Sequence, residues 1–428
     1  MIARKRDGLR LEDHEIAWFV EGAGRGTLPP EQLAALLMAI CIRGMDAGET
    51  RCLTREMLRS GEIWELASLR PDAVDKHSTG GVGDTVSLVF APLLASVGVP
   101  VAMMAGRGLG HSQGTIDKLE SIPGFRTGWD RDGMLGLLDR CGAAVVAQSD
   151  AIAPADRTLY ALRDVTATVP SLPLIVGSIM SKKLALGAGT LVLDVKWGSG
   201  AFRKTVPEAV ELAAALRDVA RDAGMACEAL ITDMNEPLGP ALGNACEVRE
   251  ALAVLEGGGD ARLREVTLAL ATEALVLRDH DRDEAAASLE RALADGSARE
   301  AWDRFVRAHG GDPDPALLES PARTVAVTAP RGGVVSAVDG EALGWVAVDL
   351  GAGRRRRDDR LDHAAGLLVH GRIGDEVAEG QPLATLLLGR REVDVPPLVE
   401  RVREAFVLGD EAPAQGRLVL GTVESAGG

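Results

Sequence analysis

Aromatic residues are scarce in this sequence, and that scarcity excludes one class of nucleic-acid-binding protein. Phe, Trp and Tyr together make up 3% of the 428 residues, and the chain has a single tyrosine. Proteins that hold single-stranded nucleic acid stack its bases on aromatic side chains, so this composition argues against that function. The formal net charge of −16 also argues against general binding to nucleic acid or to anionic membranes, because both require a basic surface.

Cysteine and lysine are also infrequent. The five cysteines are scattered, odd in number and without a CxxC pair, and the N-terminus lacks the apolar core of a signal peptide. These features predict reduced thiols in a cytoplasmic protein without a zinc site. Only seven of the 47 basic residues are lysine, so the retained lysines are candidates for positions requiring a compact ammonium group, although chance retention explains any single one equally well.

One uncharged segment, residues 85–106, is long enough to cross a bilayer. Pro92, Gly98 and Pro100 interrupt it, and its hydrophobic period changes midway. We therefore predict a buried helix followed by a buried strand, and no membrane partner.

The hydrophobic pattern separates helical segments from alternating strands and helices. The first seventy residues predict helices, one of which begins at Pro29-Pro30 and ends before Gly44. From about residue 72, short apolar strands alternate with glycine-rich loops and helices, which indicates parallel α/β structure. Residues 154–187 are helical again, and Val-rich strands follow a Pro- and Asp-rich linker at 311–321.

The first glycine-rich loop lies in D-K-H-S-T-G-G-V-G-D-T, residues 75–85. Glycines let the backbone approach an anion closely, and Lys76 and Ser78 add a positive charge and a hydroxyl group. The loop lacks the Gly-Lys-Ser/Thr ending of a Walker A motif and the spacing of a dinucleotide-binding fingerprint. It therefore predicts an anion site, although a purely structural turn remains an alternative.

The second glycine-rich loop, A-G-R-G-L-G-H-S-Q-G-T-I-D-K-L-E at residues 105–120, has the same character, with Thr115 at the start of a predicted helix. Arg107 and His111 are candidates either for ligand binding or for fixing the loop. Because both loops follow buried strands of a parallel sheet, we expect them to form one ligand-binding crevice.

A third segment, residues 160–183, combines hydrogen-bond donors on helix faces. Tyr160 and Arg163 are three residues apart and share a face, as do Ser178 and Lys182, which are four apart. Such donors suit a planar group with two carbonyl oxygens and an N–H, such as uracil or thymine, although the residues alone favour a surface network.

Five long motifs together resemble the thymidine/pyrimidine-nucleoside phosphorylase family. They are K-H-S-T-G-G-V-G-D-T, G-R-G-L-G-H-S-Q-G-T-I-D-K-L-E-S-I-P-G-F, A-P-A-D-R-T-L-Y-A-L-R-D-V-T-A-T-V, D-V-K-W-G-S-G-A-F and L-I-T-D-M-N-E-P-L-G-P-A-L-G-N-A-C-E-V-R-E. The resemblance runs in order from about residue 3 to beyond residue 380.

The resemblance implies an α/β fold with three parts: a small helical domain built from two chain segments, a larger α/β domain with a mainly parallel sheet, and a C-terminal small β-rich α+β module. The expected segments are 1–70 and 154–187 for the helical domain, 71–153 and 188–320 for the α/β domain, and 321–428 for the C-terminal module. It also implies a homodimer whose domains close about hinges.

The implied reaction is phosphorolysis of a pyrimidine nucleoside to free base and pentose 1-phosphate. By matching positions, phosphate would be held by Lys76, Ser78, Ser87 and Thr115. The base would be held by Arg163, Ser178 and Lys182, with Tyr160 beside them. His77 would lie near the base O2 and donate a proton or hydrogen bond, so the expected catalytic set is His77, Lys76, Arg163 and Lys182.

The resemblance implies phosphate as co-substrate and no organic cofactor. Broad-specificity members bind a monovalent cation, usually potassium, at positions that match Gly83, Thr85, Leu238, Ala241 and Glu250. Met103 stands where broad-specificity members typically carry Lys and thymidine-selective members Met, which predicts a preference for 2′-deoxy nucleosides.

Two residues of the second loop depart from the family pattern. Ala105 replaces a serine whose hydroxyl contacts phosphate in the family, and Gln113 replaces a second glycine. The altered loop permits a relative that takes a nucleoside 5′-monophosphate, and Ala105 leaves open a catalytically weak homologue that only binds. An anthranilate-type phosphoribosyltransferase is a further alternative because its fold is similar, although the Arg163, Ser178 and Lys182 set favours a pyrimidine.

Overall fold

The computed structural model describes residues 1–108, 110–356, 359–414 and 416–426. Its contacts divide the chain into two compact units built from interleaved segments. The first unit contains Met1–Asp75, Gln148–Leu191 and Glu211–Cys227, and the second contains the remainder. Beyond the two predicted helical segments, the first unit thus includes a third stretch that the sequence pattern did not associate with it.

The first unit is helical. Its helices are α1 (Ile2–Arg6), α2 (Asp13–Arg25), α3 (Pro30–Arg43), α4 (Ala47–Arg59), α5 (Leu66–Leu69), α9 (Pro154–Val165), α10 (Leu172–Leu186) and the C-terminal part of α11 (Val206–Asp222). Helix α3 begins at Pro30 and ends before Gly44, as the sequence predicts. Helix α4 begins with a capping box, in which Asp46 Oδ1 accepts from the Glu49 N–H at 2.8 Å and Glu49 Oε2 accepts from the Asp46 N–H at 2.9 Å.

The second unit is built on a mainly parallel six-stranded sheet in the order β13-β5-β4-β1-β2-β3. Its strands are β1 (Val74–Ser78), β2 (Val101–Ala105), β3 (Ala143–Ala147), β4 (Thr190–Trp197), β5 (Ala226–Asp233) and β13 (Val419–Thr422). The accompanying helices are α6 (Val86–Ser96), α7 (Thr115–Leu119), α8 (Arg131–Cys141), α12 (Ala245–Leu255), α13 (Ala261–Val276), α14 (Arg282–Ala294), α15 (Ser297–Ala308) and α18 (Val423–Ala426).

The uncharged segment folds as predicted, into buried helix α6 followed by buried strand β2. Among the described residues, no helix is both long and apolar enough to span a bilayer.

The C-terminal residues form two small antiparallel sheets, β10-β8-β12 and β6-β9-β11-β7. Their elements are β6 (Ala241–Gly243), β7 (Arg323–Thr328), β8 (Gly333–Val338), α16 (Gly340–Leu350), β9 (Gly366–Val369), β10 (Glu376–Val377), β11 (Pro382–Leu388), α17 (Val395–Glu404) and β12 (Phe406–Gly409). Strand β6 precedes α12 in the chain and pairs with β9, with Ala241 opposite Leu368. The C-terminal module is therefore continuous with the α/β part of the second unit.

Helix α16 packs directly against both glycine-rich loops through a glycine. A Cβ added at Gly344 would overlap the carbonyl oxygen of His111 in the second loop and lie 3.0 Å from Val82 Cγ2 in the first. Only a residue without a side chain allows this approach.

We expect Gly344→Ala to lower the melting temperature. Alanine normally favours a helix over glycine by up to ~1 kcal/mol. Here the added methyl meets backbone, so we expect overpacking of about 1–3 kcal/mol to outweigh that gain. Gly136→Ala in α8 is the matched control, since its Cβ would meet only the flexible Arg140 side chain, at 3.3 Å. Thermal unfolding of both variants measures the difference, and a Gly344→Ala melting temperature at or above that of the parent would contradict the expectation.

Candidate active site

The first glycine-rich loop connects β1 to α6 and is closed by a side-chain hydrogen bond. Ser78 Oγ donates to Asp84 Oδ2 at 2.6 Å and accepts from the Gly80 N–H at 3.1 Å. Gly80 and Gly83 have φ values of +86° and +68°, in the left-handed region that favours glycine. The glycines therefore serve the tight geometry of the loop.

Lys76 lies at the base of this loop and is 1% exposed. Its Nζ lies 3.2 Å from Ser87 Oγ in α6 and 3.5 Å from Asp194 Oδ2 in β4. Burial lowers the pKa of Lys76, while the carboxylates of Asp84 and Asp194 oppose that shift. Two of the residues predicted to hold phosphate, Lys76 and Ser87, are thus in contact.

A second buried lysine, Lys196, belongs to the same network and was not predicted as a site residue. Its Nζ lies 2.8 Å from Asp194 Oδ2, and Asp194 Oδ1 accepts from Thr232 Oγ1 at 2.7 Å. Burial opposes the charge on Lys196, but the adjacent carboxylates raise its pKa overall. Lys196 therefore supplies Asp194 with a counter-ion independent of Lys76.

The second loop is fixed by Asp117 of α7. Asp117 Oδ2 accepts from the Gly108 N–H at 2.7 Å, and Oδ1 accepts from Arg107 at 3.2 Å and from Arg354 at 2.8 Å. The Nε2 atom of His111 lies 3.2 Å from the Gly200 carbonyl oxygen. Of the two roles considered for Arg107 and His111, these contacts favour fixing the loop. Leu109 of this motif lies outside the described residues.

The two loops meet, as their positions after neighbouring strands predict. A Cβ on Gly80 would lie 3.9 Å from Ser112 Oγ. Lys118 Nζ donates to the Asp84 carbonyl oxygen at 2.7 Å, linking α7 to the end of the first loop. Thr115 is the first residue of α7, beside this junction.

In the first unit, the predicted base-binding residues Ser178 and Lys182 gather around Asp156. Asp156 Oδ2 accepts from Ser178 Oγ at 3.0 Å and from Lys182 Nζ at 2.9 Å, and Lys182 Nζ lies 3.2 Å from Ser178 Oγ. Asp156 is 2% exposed, and its Oδ1 has no hydrogen-bond partner among the described residues. Sequence reasoning missed Asp156, although it lies in the A-P-A-D-R-T-L-Y motif.

Arg163 holds the connection between α9 and α10. Its guanidinium donates to the carbonyl oxygens of Val169 at 2.8 Å, Leu174 at 3.0 Å and Thr168 at 3.4 Å. A guanidinium has five N–H groups, so two remain after these three bonds. The Arg163 guanidinium carbon lies 5.4 Å from the ring centroid of Tyr160. Burial raises the pKa of Tyr160 to about 12.

The five predicted cation positions also converge, in the second unit. Thr85 Oγ1 lies 3.4 Å from Glu250 Oε2, and the Gly83 carbonyl oxygen accepts from the Gly239 N–H at 3.2 Å. A Cβ on Gly83 would lie 3.4 Å from the Ala241 carbonyl oxygen. Leu238 follows the same turn, where its N–H donates to the Val82 carbonyl oxygen at 3.1 Å.

The charges around this cluster do not balance. Lys118 forms a buried ion pair with Glu247, whose other oxygen accepts from the Gly243 N–H at 2.9 Å. Glu250 Oε1 is buried without a hydrogen-bond partner in the part of the chain that the structure describes. Burial, together with the nearby Glu247, raises the pKa of Glu250 well above its usual range.

Comparison with known proteins identifies the family. Residues 1–61 match the helical bundle domain of a glycosyl transferase family, residues 70–299 its a/b domain, and residues 334–409 the pyrimidine nucleoside phosphorylase C-terminal domain. The chain is 46% identical over 400 residues to a pyrimidine-nucleoside phosphorylase of Geobacillus stearothermophilus, covering 92% of each chain. It is 45% identical over 420 residues to one of Bacillus subtilis, covering 97% of this chain and 96% of the relative. The chain belongs to the pyrimidine-nucleoside phosphorylase family.

Family membership confirms the resemblance drawn from the five motifs. A further likeness concerns the fold alone: the crystal structure of anthranilate phosphoribosyltransferase from Thermus thermophilus aligns with a TM-score of 0.55 at 19% identity. The alignment covers 72% of this chain and 98% of that one. The helical and α/β architecture is therefore shared by pyrimidine-nucleoside phosphorylases and enzymes of other specificity, so the site must decide the reaction.

Proposed function

We propose that this protein catalyses the phosphorolysis of pyrimidine nucleosides, releasing the free base and a pentose 1-phosphate. The observation that carries the proposal is the near-full-length match to pyrimidine-nucleoside phosphorylases, in a chain that retains both predicted ligand-binding sets. The phosphate set belongs to the second unit and the base set to the first.

Phosphate is the nucleophile, held by the two glycine-rich loops. Buried Lys76 supplies a full positive charge, and Ser78, Ser87 and Thr115 supply hydroxyl groups. A charge-assisted hydrogen bond in a poorly solvated site is stronger than one in water. Holding the anion in place before reaction also removes much of the entropic barrier.

The base is the leaving group. An oxygen of phosphate forms a bond to C1′ as the C1′–N1 bond breaks, and the bonding electron pair stays on the base. Lys182 and the two remaining N–H groups of Arg163 donate to the base carbonyls, where this charge develops. His77 donates a proton or hydrogen bond toward O2. Asp156 orients the Lys182 ammonium and the Ser178 hydroxyl.

A single set of assays tests the proposal. Uridine, thymidine, 2′-deoxyuridine and uridine 5′-monophosphate are each incubated with phosphate, and free base is measured. We expect release from the nucleosides, dependent on phosphate. Release from the monophosphate alone would favour a nucleotide substrate. A separate incubation with anthranilate and phosphoribosyl pyrophosphate tests the phosphoribosyltransferase, and product formation there would favour it. Binding of a nucleoside without turnover would favour a non-catalytic homologue.

We further propose that a monovalent cation, usually potassium in this family, is held by Thr85, Glu250 and the carbonyl oxygens of Gly83, Leu238 and Ala241. The orphaned carboxylate oxygen of Glu250 supports this, because a buried charge requires a counter-ion. The cation would supply that charge and hold the end of the first glycine loop.

Potassium should therefore raise the melting temperature more than sodium at equal ionic strength, and Glu250→Gln should abolish the difference. At 100 times the dissociation constant, a bound ion stabilises by about 2.7 kcal/mol. Glu404→Gln, at an exposed position in α17, is the control. Equal stabilisation of the parent protein by both salts would contradict the cation site.

The sugar preference is a separate prediction. Met103 is 2% exposed in β2, opposite Val145 of β3. A methionine offers a ribose 2′-hydroxyl only a weak acceptor, so we expect kcat/KM for 2′-deoxyuridine to exceed that for uridine by about tenfold to a hundredfold. Met103→Lys should narrow the gap. Equal kcat/KM values for uridine and 2′-deoxyuridine in the unmodified protein would contradict this prediction, and Met103 would then only pack in the core of the sheet.

We also infer a homodimer in the cytoplasm. The dimer is what the resemblance to the pyrimidine-nucleoside phosphorylase family implies. The five cysteines are free thiols, which agrees with a reducing compartment. Light scattering of the purified protein measures the assembly mass, and a monomer would contradict the inference.

A further inference from the structure

Gln113 has a buried side chain whose hydrogen-bonding capacity is unused. The residue is 7% exposed, and neither Nε2 nor Oε1 has a partner among the described residues. Burying a carboxamide without hydrogen bonds is unfavourable, so buried polar groups are nearly always paired. An amide with both ends unpaired indicates a group that is completed by a ligand.

The position of Gln113 identifies the kind of ligand. It lies between Ser112, whose hydroxyl is next to Gly80 of the first loop, and Gly114, where a Cβ would overlap the Gly108 nitrogen. The second loop is further fixed by the bond between Asp117 and the Gly108 N–H. The Gln113 amide is thus carried by a tightly constrained backbone at the junction of the two loops.

The same loop lacks a hydrogen-bonding group at its other end. Ala105 closes β2 with a methyl group, which can neither donate nor accept. An amide at position 113 supplies both functions within the loop. Unlike lysine, which only donates, a carboxamide can distinguish a protonated from an unprotonated oxygen of an anion.

We propose that the Gln113 carboxamide selects tetrahedral anions that carry an O–H group, such as hydrogen phosphate, over unprotonated ones such as sulfate. Nε2 donates to an unprotonated phosphate oxygen, and Oε1 accepts the hydrogen of the P–O–H group. This inference rests on the proposed function, which assigns the two loops to phosphate.

The chemistry predicts a specific ranking of anions. Hydrogen phosphate and hydrogen arsenate each carry one O–H group at neutral pH, whereas sulfate carries none. Lys76 attracts all three by charge. Only an acceptor such as Oε1 favours the protonated anions, because a sulfate oxygen placed against it would leave two acceptors facing each other.

The experiment measures binding of phosphate, arsenate and sulfate to the full-length protein by calorimetry, without nucleoside. Gln113→Met keeps a side chain of similar length and removes both polar ends. We expect this variant to bind phosphate and arsenate about tenfold more weakly and to bind sulfate as the parent does. The ratio of phosphate affinity to sulfate affinity should therefore fall about tenfold. Gln113→Glu introduces a carboxylate, which is negatively charged and only accepts hydrogen bonds, so it should weaken the binding of all three anions. Gln32→Met, at an exposed position in α3, is the matched control.

A second readout separates ligand binding from a structural role. Because the amide is unpaired before phosphate binds, Gln113→Met should keep or raise the ligand-free melting temperature and reduce the rise caused by phosphate. A lower ligand-free melting temperature with an unchanged selectivity ratio would overturn the proposal, as would equal weakening of phosphate and sulfate.

The outcome is independent of turnover. If the parent protein releases base but Gln113→Met keeps its anion selectivity, the role of Gln113 fails and the proposed function stands. If the parent protein releases no base from any nucleoside but the Gln113→Met variant loses the anion selectivity of the parent, the proposed function fails and the anion-selective amide stands.

Discussion

Replacement of Lys76 by alanine should lower kcat/KM for phosphate on the order of 100-fold. Lys76 is the buried cation in contact with Ser87, and a charged contact to an anion is stronger than a neutral one in a poorly solvated site. The fold should survive, because Asp194 keeps its 2.8 Å ion pair with Lys196. Steady-state kinetics with phosphate varied at saturating nucleoside, together with a melting curve, measure both effects.

Two further variants sharpen this prediction. Lys76→Arg should also be impaired, because the larger planar guanidinium does not fit a position occupied by a compact ammonium. Lys204→Ala is the control, since Lys204 has a half-exposed side chain that pairs with Glu341 at 2.6 Å. If Lys76→Ala kept the parental kcat/KM for phosphate, Lys76 would not belong to the phosphate site.

The few lysines of the sequence lie mostly at buried positions. Five of the seven lysines are buried, each no more than 4% exposed: Lys5, Lys76, Lys118, Lys183 and Lys196. Each lies beside a carboxylate, as Lys5 does with Glu49 at 2.8 Å and Lys183 with Asp75 at 2.8 Å. Among the described arginines Arg163 is the only fully buried one, whereas these five lysines form internal ion pairs. The sequence indicated this division but could not show which carboxylate each lysine meets.

Local chemistry explains why the boundaries of many elements were predictable. Pro30 and Gly44 bracket α3, and Gly80 and Gly83 adopt the positive φ that a tight loop requires. These effects depend on residues close together in the chain. The contact between the two glycine-rich loops followed instead from a general rule of topology, that strands consecutive in a parallel α/β pattern commonly lie side by side.

The contacts that sequence reasoning missed join distant segments. Asp156 meets Lys182 across 26 positions, and Gly344 approaches His111 across more than 200. The three carbonyl partners of Arg163 lie only 5, 6 and 11 positions away, but they depend on the path of the loop between α9 and α10. No periodicity or motif encodes such pairs, because they arise only when the tertiary structure forms.

Asp156→Asn should reduce kcat/KM for the nucleoside on the order of 100-fold, with little change in KM for phosphate. The carboxylate now accepts hydrogen bonds from both Ser178 and Lys182 through one oxygen. An amide is neutral and presents N–H groups as well as an oxygen, so the Lys182 ammonium loses its counter-ion and its fixed direction. Asp156 acts through Lys182, so it is a positioning residue rather than a catalytic one.

The separation of the two kinetic constants tests this assignment. A purely structural role would lower stability and reduce activity toward phosphate and nucleoside alike, whereas loss of orientation affects the nucleoside alone. Asp156→Glu keeps the charge but moves it by one methylene, so it should recover part of the lost kcat/KM. Asp150→Asn is the control, because Asp150 lies just before α9 with a side chain that is 82% exposed. Parental kcat/KM for the nucleoside in Asp156→Asn would mean that Lys182 is held in place without its carboxylate partner.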